Sequence, residues 1–235
     1  MGTDGIADRL WLLLGGTLCT EAVFDGLLEA LKVPAARRQY VTLGRPRISD
    51  YDEVFEDLPP DTIVCGFSLG AIVAAHFADR MAARQLILFG LNPFADDPTK
   101  APSRHDLARD VSTLGGAAAL TARAPEVFGP APDETRAMIY QMADEAADLI
   151  GPQTRLALTR PGAVPALARA QMPVLALTGS LDQSAPPGYG MAAAQAAPLG
   201  HFMSLEGLGH FALLEDPDAC AAAVVPFLKA DHDPK

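Results

Sequence analysis

The sequence has few cysteines, few aromatic residues and no excess of positive charge. Three cysteines, Cys19, Cys65 and Cys220, are an odd number without metal-ligand spacing, which predicts neither a disulfide framework nor a zinc site. The net charge is −11, with scattered acidic residues, and this disfavours nucleic acid and anionic membranes as partners. No apolar run is long enough to span a membrane, and Met1 to Arg9 lack a signal-peptide pattern. We therefore expect a protein of the reducing cytoplasm.

What the chain does have is enough length and apolar content for one large core. Its 235 residues are 49% hydrophobic, which predicts a single globular domain. Short apolar runs alternate with helical segments, a pattern typical of a parallel sheet covered by helices. The runs are Leu10–Leu14, Tyr40–Leu43, Thr62–Cys65, Gln85–Phe89, Pro173–Thr178 and His201–Leu205. We predict an α/β fold with a mostly parallel sheet of about six strands.

The amino-acid composition changes in the middle of the chain. Residues 93–171 are rich in Ala, Arg and Pro and contain no clear strand, so we predict a helical lid inserted into a core formed by 1–92 and 172–235. The strongest helix of the lid is predicted over 133–149, with Asp133 as N-cap and Gly151-Pro152 at its end. Met138 and Met142 share one face of it, where packing onto the core and lining a pocket are both open.

The most informative stretch is Gly66-Phe67-Ser68-Leu69-Gly70, between a strand pattern and a helix pattern. In that context the spacing predicts a sharp turn that lifts the serine above the edge of the sheet. The glycines suit a serine in strained backbone geometry, because they leave space beside it. The helix that follows points its N-terminus at the hydroxyl, which favours developing negative charge. Ser68 is the predicted nucleophile.

A serine hydroxyl needs a base, and the base needs an acid that orients it. His210 follows the last predicted strand in a glycine-flanked loop and is the predicted base. His76 is expected to be structural in the helix after the serine, and His105 lies in the lid, where substrate contact stays open. His201 and His232 carry no functional signal.

Asp182 follows the strand at 173–178 and is the predicted orienting acid. Its alternative explanation is that aspartate is common in turns. Asp96 and Asp97 follow the strand at 85–89 and are rivals, since an acid placed there could also reach the histidine. The chain order Ser, Asp, His is the order of α/β-hydrolases.

A tetrahedral intermediate needs preorganised backbone donors around its oxyanion. The residue after the nucleophile, Leu69, supplies one N–H in this prediction. The second comes from the loop Gly15-Gly16-Thr17-Leu18 after the first strand, most simply from Thr17, with Leu18 as the next candidate. Gly-Gly after a strand is also an ordinary turn.

Four segments together make the chain similar to the α/β-hydrolase superfamily, specifically its small lid-bearing serine esterases and lactonases. They are Leu12–Cys19, Gly66–Gly70, Gly179–Asp182 and Gly207–Pro217, and the resemblance covers nearly the whole chain. It implies Ser68 as nucleophile, His210 as base, Asp182 as acid, and Thr17 and Leu69 as oxyanion donors. One departure is Gly15, where many relatives carry histidine before the second glycine.

From these residues we expect a serine hydrolase that cleaves a small carboxylic ester or lactone and requires no metal or organic cofactor. A thioesterase and a carbon–carbon bond hydrolase on the same triad are alternatives, as is a non-catalytic binding protein. The predicted substrate contacts are Leu18, Phe67, Met138, Met142 and Phe211. Arg160 or Arg155 in the lid is a candidate partner for a substrate carboxylate. The expected partner is a small molecule, and the chain is expected to be a monomer or homodimer.

Overall fold

The computed structural model describes residues 5–123 and 131–230; His232 and the first four residues lie outside them. Within the described part, one sheet has the order β2-β1-β3-β4-β5-β6, and every pairing is parallel. The strands are β1 Trp11–Leu14, β2 Arg38–Val41, β3 Ile63–Phe67, β4 Gln85–Phe89, β5 Val174–Gly179 and β6 Gly200–Leu205. The predicted parallel sheet of about six strands is confirmed.

Helices cover both faces of this sheet. Before the fifth strand they are α1 Asp25–Ala30, α2 Asp52–Glu56, α3 Leu69–His76, α4 Ala101–Leu114, α5 Gly116–Thr121, α6 Asp133–Glu145, α7 Ile150–Thr159 and α8 Val164–Leu167. After it come α9 Pro187–Ala196, α10 Ala212–Glu215 and α11 Pro217–Lys229. Short 3₁₀ turns precede several of them, at Glu21–Phe24, Ile48–Tyr51, Pro98–Lys100 and Ala147–Leu149 among others. None of the helices in 5–123 and 131–230 is long and apolar enough to cross a membrane.

The central strands are apolar throughout because both of their faces are buried. Successive side chains of a strand point to opposite sides, and β1 divides accordingly. Trp11 and Leu13 belong to the apolar cluster under α1 and α11, whereas Leu12 and Leu14 belong to the cluster under α3 and α9. The sheet is therefore the middle of three layers, and its carboxyl edge is left to the loops.

Several predicted helix boundaries differ from the structure. The helix after Ser68 ends at His76 and continues only as turns toward Met81. Asp133 is the first residue of α6 rather than its N-cap, which is Pro132. Pro152 does not end a helix but lies in the first turn of α7, where its missing N–H would have had no acceptor within the helix.

The described residues between β4 and β5 form the helices α4 to α8 with short connections, and no strand occurs among them. The last of these helices, α8, contacts α3 and α9, and Leu167 is fully buried in the cluster under them. The chain therefore packs back onto the sheet layers before β5 begins. The helices from α4 to α7 lie nearer the loops at the carboxyl edge, where α7 contacts the loop after β1 through Gln153 and Leu18.

Candidate active site

Ser68 lies in a tight strand-to-helix turn between β3 and α3. Its φ is 52° and its ψ is −117°, a backbone conformation that residues other than glycine rarely adopt. A Cβ at Gly66 would lie 2.5 Å from the Ala71 Cα, and one at Gly70 would lie 2.0 Å from the Leu14 carbonyl oxygen. Both glycines are therefore required by close backbone approach, and the turn holds the serine at the edge of the sheet.

Three loops at that edge bring the predicted residues together. The His210 Nε2 lies 3.1 Å from the Ser68 Oγ, and the His210 Nδ1 lies 2.8 Å from the Asp182 Oδ2. An ionised carboxylate only accepts, so Nδ1–H donates to Asp182 and Nε2 is left to accept from the serine hydroxyl. A serine, a histidine and an aspartate thus form one hydrogen-bond chain, the geometry that an activated nucleophile requires.

The acid and the histidine loop are themselves held in place. The second carboxylate oxygen of Asp182 accepts the N–H groups of Ser184 and Ala185, each at 2.8 Å. The Glu215 carboxylate accepts the Gly209 N–H at 2.6 Å, one residue before the base. Burial raises the pKa of the Glu215 carboxyl group, against the opposing effect of that hydrogen bond. The sequence offered no signal for Glu215, because its partner is a backbone group.

The loop after β1 lies against the nucleophile. A Cβ at Gly16 would lie 3.0 Å from the Ser68 Cβ, so a larger residue here would press on the Ser68 side chain. The next residue, Thr17, borders the same space as Ser68. Leu69 is the first residue of α3, so its N–H has no acceptor within the helix. Thr17 and Leu69 thus flank the serine with backbone donors.

Leu18, the other candidate donor, is already engaged. Its N–H donates to the Gln153 Oε1 at 3.0 Å, and its φ is 57°. Leu18 therefore shapes the loop, and Thr17 remains the candidate donor on that side. Gly15 also has a physical explanation, because a Cβ there would lie 2.4 Å from the Tyr40 Oη. The tyrosine hydroxyl, which donates to the Cys19 carbonyl, fills the space that a side chain at residue 15 would need.

Two cavities open beside the Ser68 hydroxyl. We call the first the apolar lobe; its volume is about 180 Å³. Its apolar lining residues are Leu18, Phe67, Leu107, Leu120, Ile139 and Phe211. We call the second the cationic lobe; its volume is about 120 Å³, and Lys100, Arg104 and Arg160 line it. Thr17, Ser68, Ser184 and His210 border both lobes, so the reacting bond would lie at their junction.

Three of the five predicted substrate contacts line the apolar lobe, and the two methionines do not. Leu18, Phe67 and Phe211 are lining residues. Met138 is 44% exposed and Met142 is buried in the apolar cluster beneath α6. The neighbouring Ile139 lines the lobe instead, since the orientation of α6 on the core decides which of its faces meets the cavity. Sequence periodicity identified the helix but not this rotation.

The rival residues have other partners. The Asp96 carboxylate receives two hydrogen bonds from Arg104, at 2.6 and 2.7 Å, and one from Arg160 at 3.0 Å. Burial would raise its pKa, but the two arginines outweigh this and the pKa lies below its ordinary value. Asp97 is exposed and caps a 3₁₀ turn through the Thr99 N–H. Neither aspartate is hydrogen-bonded to His210.

The other described histidines lie away from the hydroxyl. His76 is buried, with its ring nitrogens 2.7 and 2.8 Å from the carbonyl oxygens of Ile72 and Pro161, and burial lowers its pKa. His105 is exposed on α4, and His201 is exposed at the start of β6. Arg155 is exposed as well, whereas Arg160 is buried at the cationic lobe. No group of three or more His, Cys, Asp or Glu side chains suited to a metal ion occurs within 5–123 and 131–230.

Two features define the class of protein. The fold has three layers around a parallel sheet, and a serine at a strained strand–helix turn is linked by hydrogen bonds to a histidine and an aspartate from later loops. Residues 26–223 match the model of the alpha/beta hydrolase family, which is most of the chain. The protein belongs to the alpha/beta hydrolase family. No curated protein matches the sequence.

Solved structures agree with this fold. A thermophilic esterase from Thermogutta terrifontis, determined with malate bound, superposes with a TM-score of 0.76 at 20% identity, covering 95% of this chain and 90% of that one. The enol-lactonase of Burkholderia xenovorans LB400 gives 0.74 at 19% identity, with 97% and 94% covered. MenH from S. aureus gives 0.76 at 17% identity, with 94% and 93% covered. At these identities the likeness is one of fold.

Proposed function

We propose that the protein is a serine hydrolase that cleaves a small carboxylic ester or lactone through an acyl-enzyme on Ser68. The observation that carries the proposal is the continuous hydrogen-bond chain from the Asp182 carboxylate through His210 to the Ser68 hydroxyl. The strained backbone of Ser68 costs about 1–3 kcal/mol of stability. A purely structural serine beside a cleft would not need this strain, so the strain supports a functional role. The family membership of the chain is consistent with hydrolysis.

The chemistry follows from the positions of the groups. His210 Nε2 takes the proton of the Ser68 hydroxyl as Oγ forms a bond to the substrate carbonyl carbon. The N–H groups of Thr17 and Leu69 stabilise the resulting oxyanion. The carbon–oxygen bond of the ester then breaks, and His210 gives its proton to the departing alkoxide. Water repeats the sequence on the acyl-enzyme and restores the serine.

The dimensions of the cleft favour a small substrate. Its two lobes, about 180 and 120 Å³, together lie only at the lower end of the roughly 300–1,000 Å³ of sites that hold drug-sized ligands. We further propose that the helices between residues 93 and 171 act as a lid that sets specificity, because Leu107, Leu120 and Ile139 of this segment line the apolar lobe.

The test combines covalent labelling with turnover. Wild type, Ser68→Ala and His210→Ala are treated with a fluorophosphonate probe and measured by intact mass, then assayed on p-nitrophenyl esters of increasing acyl length. We expect both variants to lose labelling and to lose at least roughly 10³-fold in kcat, and the wild type to prefer short acyl chains.

Ser184→Ala is the matched control, since Ser184 borders the same cleft and its contact with Asp182 is through the backbone. It should still be labelled. Labelling of the wild type without ester turnover would favour a thioesterase or a carbon–carbon bond hydrolase. An unlabelled wild type that is folded by circular dichroism would overturn the proposal in favour of a binding protein.

A further inference from the structure

The cationic lobe carries more positive charge than the protein itself neutralises. Lys100, Arg104 and Arg160 line it together with Ser68. Asp96, bonded to both arginines, is the carboxylate that the structure pairs with them. Two arginines against one carboxylate leave a surplus of one positive charge next to Ser68, in a chain whose overall charge is −11. Local charge of the opposite sign to the whole protein favours an anionic ligand at that point.

Arg160 provides the more specific observation. Its side chain is 1% exposed, and its Nη1 donates to the Asp96 Oδ1 and to the Ala157 carbonyl oxygen. Its buried Nε has no hydrogen-bond partner in the described part of the chain. Leaving a buried, charged donor unpaired is costly. An oxyanion bound against this guanidinium would supply an acceptor for that Nε.

Arg104 and Lys100 add to the same region in different ways. Arg104 uses its Nε and Nη2 on Asp96, so its position is fixed while its Nη1 remains available. Lys100 is exposed at the mouth of the lobe and interacts with the nearby Asp97, so solvent screens much of its charge. The two arginines therefore form the fixed part of the site.

We propose that the cationic lobe binds a carboxylate of the substrate, so that the protein hydrolyses esters that carry a free carboxylate on one side of the scissile bond and an apolar group on the other. The proposal rests on the proposed serine hydrolysis and names its substrate class. A guanidinium matches the planar carboxylate with parallel N–H bonds. The volume of about 120 Å³ leaves little space beyond such a group, and the apolar lobe across the serine accepts the remainder.

The experiment compares pairs of esters that differ only in that charge. In the first pair the acyl side differs: monomethyl adipate carries a carboxylate, and methyl adipamate carries a carboxamide. In the second pair the leaving group differs in the same way, between 4-carboxyphenyl acetate and 4-carbamoylphenyl acetate. We expect the wild type to prefer the anionic member of at least one pair by about 10- to 100-fold in kcat/KM, the usual range for a charge-assisted contact.

The preference is then measured in Arg160→Gln and Arg104→Gln, and should fall at least about tenfold in each. Arg104→Gln keeps the test valid if the buried Arg160 variant does not fold. Arg109→Gln is the control, because Arg109 lies on the same helix as Arg104 but is exposed and pairs with Asp106 and Asp110 on the surface. Its preference should equal that of the wild type.

Equal kcat/KM within both pairs, or a preference that survives in both arginine variants, would overturn the inference. If Ser68 is still labelled in that case, the proposed serine hydrolysis stands and only the substrate class is wrong. Competitive inhibition by inorganic phosphate that is stronger than inhibition by succinate would show that the lobe selects a tetrahedral anion instead, and would equally overturn it.

Discussion

The side chain of Gln153 reaches from α7 to the loop after β1 and accepts the backbone N–H of Leu18 at 3.0 Å. Gln153 is 1% exposed and Leu18 is 3% exposed, so this contact is sealed from solvent. It holds Leu18 in its left-handed conformation, φ 57°, directly after the proposed oxyanion donor Thr17. A helix from the segment between β4 and β5 thereby holds the loop after β1 in place.

Replacing Gln153 with methionine should lower kcat more than it raises KM. The substitution keeps the volume but leaves the buried Leu18 N–H without an acceptor, at a cost of about 1–3 kcal/mol, and the loop can then relax away from the oxyanion. We expect a loss of roughly tenfold in kcat with KM changed less than about twofold. Gln153→Glu, which retains an acceptor oxygen, should recover part of kcat. An increase in KM alone would instead mean that Gln153 only shapes the substrate pocket.

Asp182→Asn should reduce kcat by roughly 10³- to 10⁴-fold while leaving the fold intact. The amide can donate to His210 Nδ1, which favours the wrong tautomer and leaves Nε2 unable to accept the serine proton. The measurement is ester turnover together with the rate of fluorophosphonate labelling. A comparable catalytic loss in a folded Asp96→Asn variant would mean that the rival aspartate also serves the histidine, contrary to the hydrogen bonds described above.

Asp96→Asn should act on stability. Its carboxylate is 4% exposed and paired with Arg160, which is 1% exposed, so removing its charge leaves a buried guanidinium uncompensated, at a cost of roughly 3 kcal/mol at pH 7. The folded-state pKa of Asp96 lies below its ordinary value of 3.8, so the stabilisation is present above that pH and is lost as the pH falls through the folded-state pKa.

Urea unfolding of wild type and Asp96→Asn between pH 7 and pH 3 tests this. The difference in unfolding free energy should be constant from pH 7 to pH 5 and begin to narrow below about pH 3.8. A difference that persists unchanged at pH 3 would show that lost packing, rather than lost charge, destabilises the variant.

Glu215→Gln and Glu215→Ala should have opposite consequences. Glutamine retains an oxygen that accepts the Gly209 N–H and removes a charge that burial disfavours, so stability at pH 8 should equal or exceed that of the wild type. Alanine leaves the N–H before His210 unpaired, and we expect roughly a tenfold loss in kcat.

The pH dependence of the glutamine variant follows from the raised pKa of Glu215. The wild type is relatively most stable below the ordinary value of 4.5, where the carboxyl group is protonated, and loses that contribution as the pH rises through the folded-state pKa. The advantage of Glu215→Gln in thermal unfolding should therefore grow from pH 5 to pH 8. An advantage that is independent of pH would contradict this account of the carboxyl group.

The sequence by itself determined the sheet and the positions of the three proposed catalytic residues. Runs such as Leu86–Phe89 are apolar at every position because both faces of a central parallel strand are buried. Such a run can be recognised without knowing which strands lie beside it. Gly66 and Gly70 are informative because a side chain at either position would collide with the backbone of the turn. Strand ends in a parallel sheet meet at one edge, so the positions of Ser68, Asp182 and His210 after strands sufficed to bring them together.

The tertiary structure alone decided the environment of those residues. Which face of α6 meets the cavity depends on how that helix rotates against the core. Ile139 lines the apolar lobe, whereas Met138 and Met142, the predicted contacts on this helix, are not among its lining residues. Gln153 and Glu215 bind backbone N–H groups, which every sequence contains, and no residue pattern marks such a partner. Asp96 was a plausible acid by its place after β4, and only the approach of Arg104 and Arg160 from later helices assigns its carboxylate to them. Contacts between segments distant in the chain are set by packing, and they surround a proposed triad whose positions local sequence had already indicated.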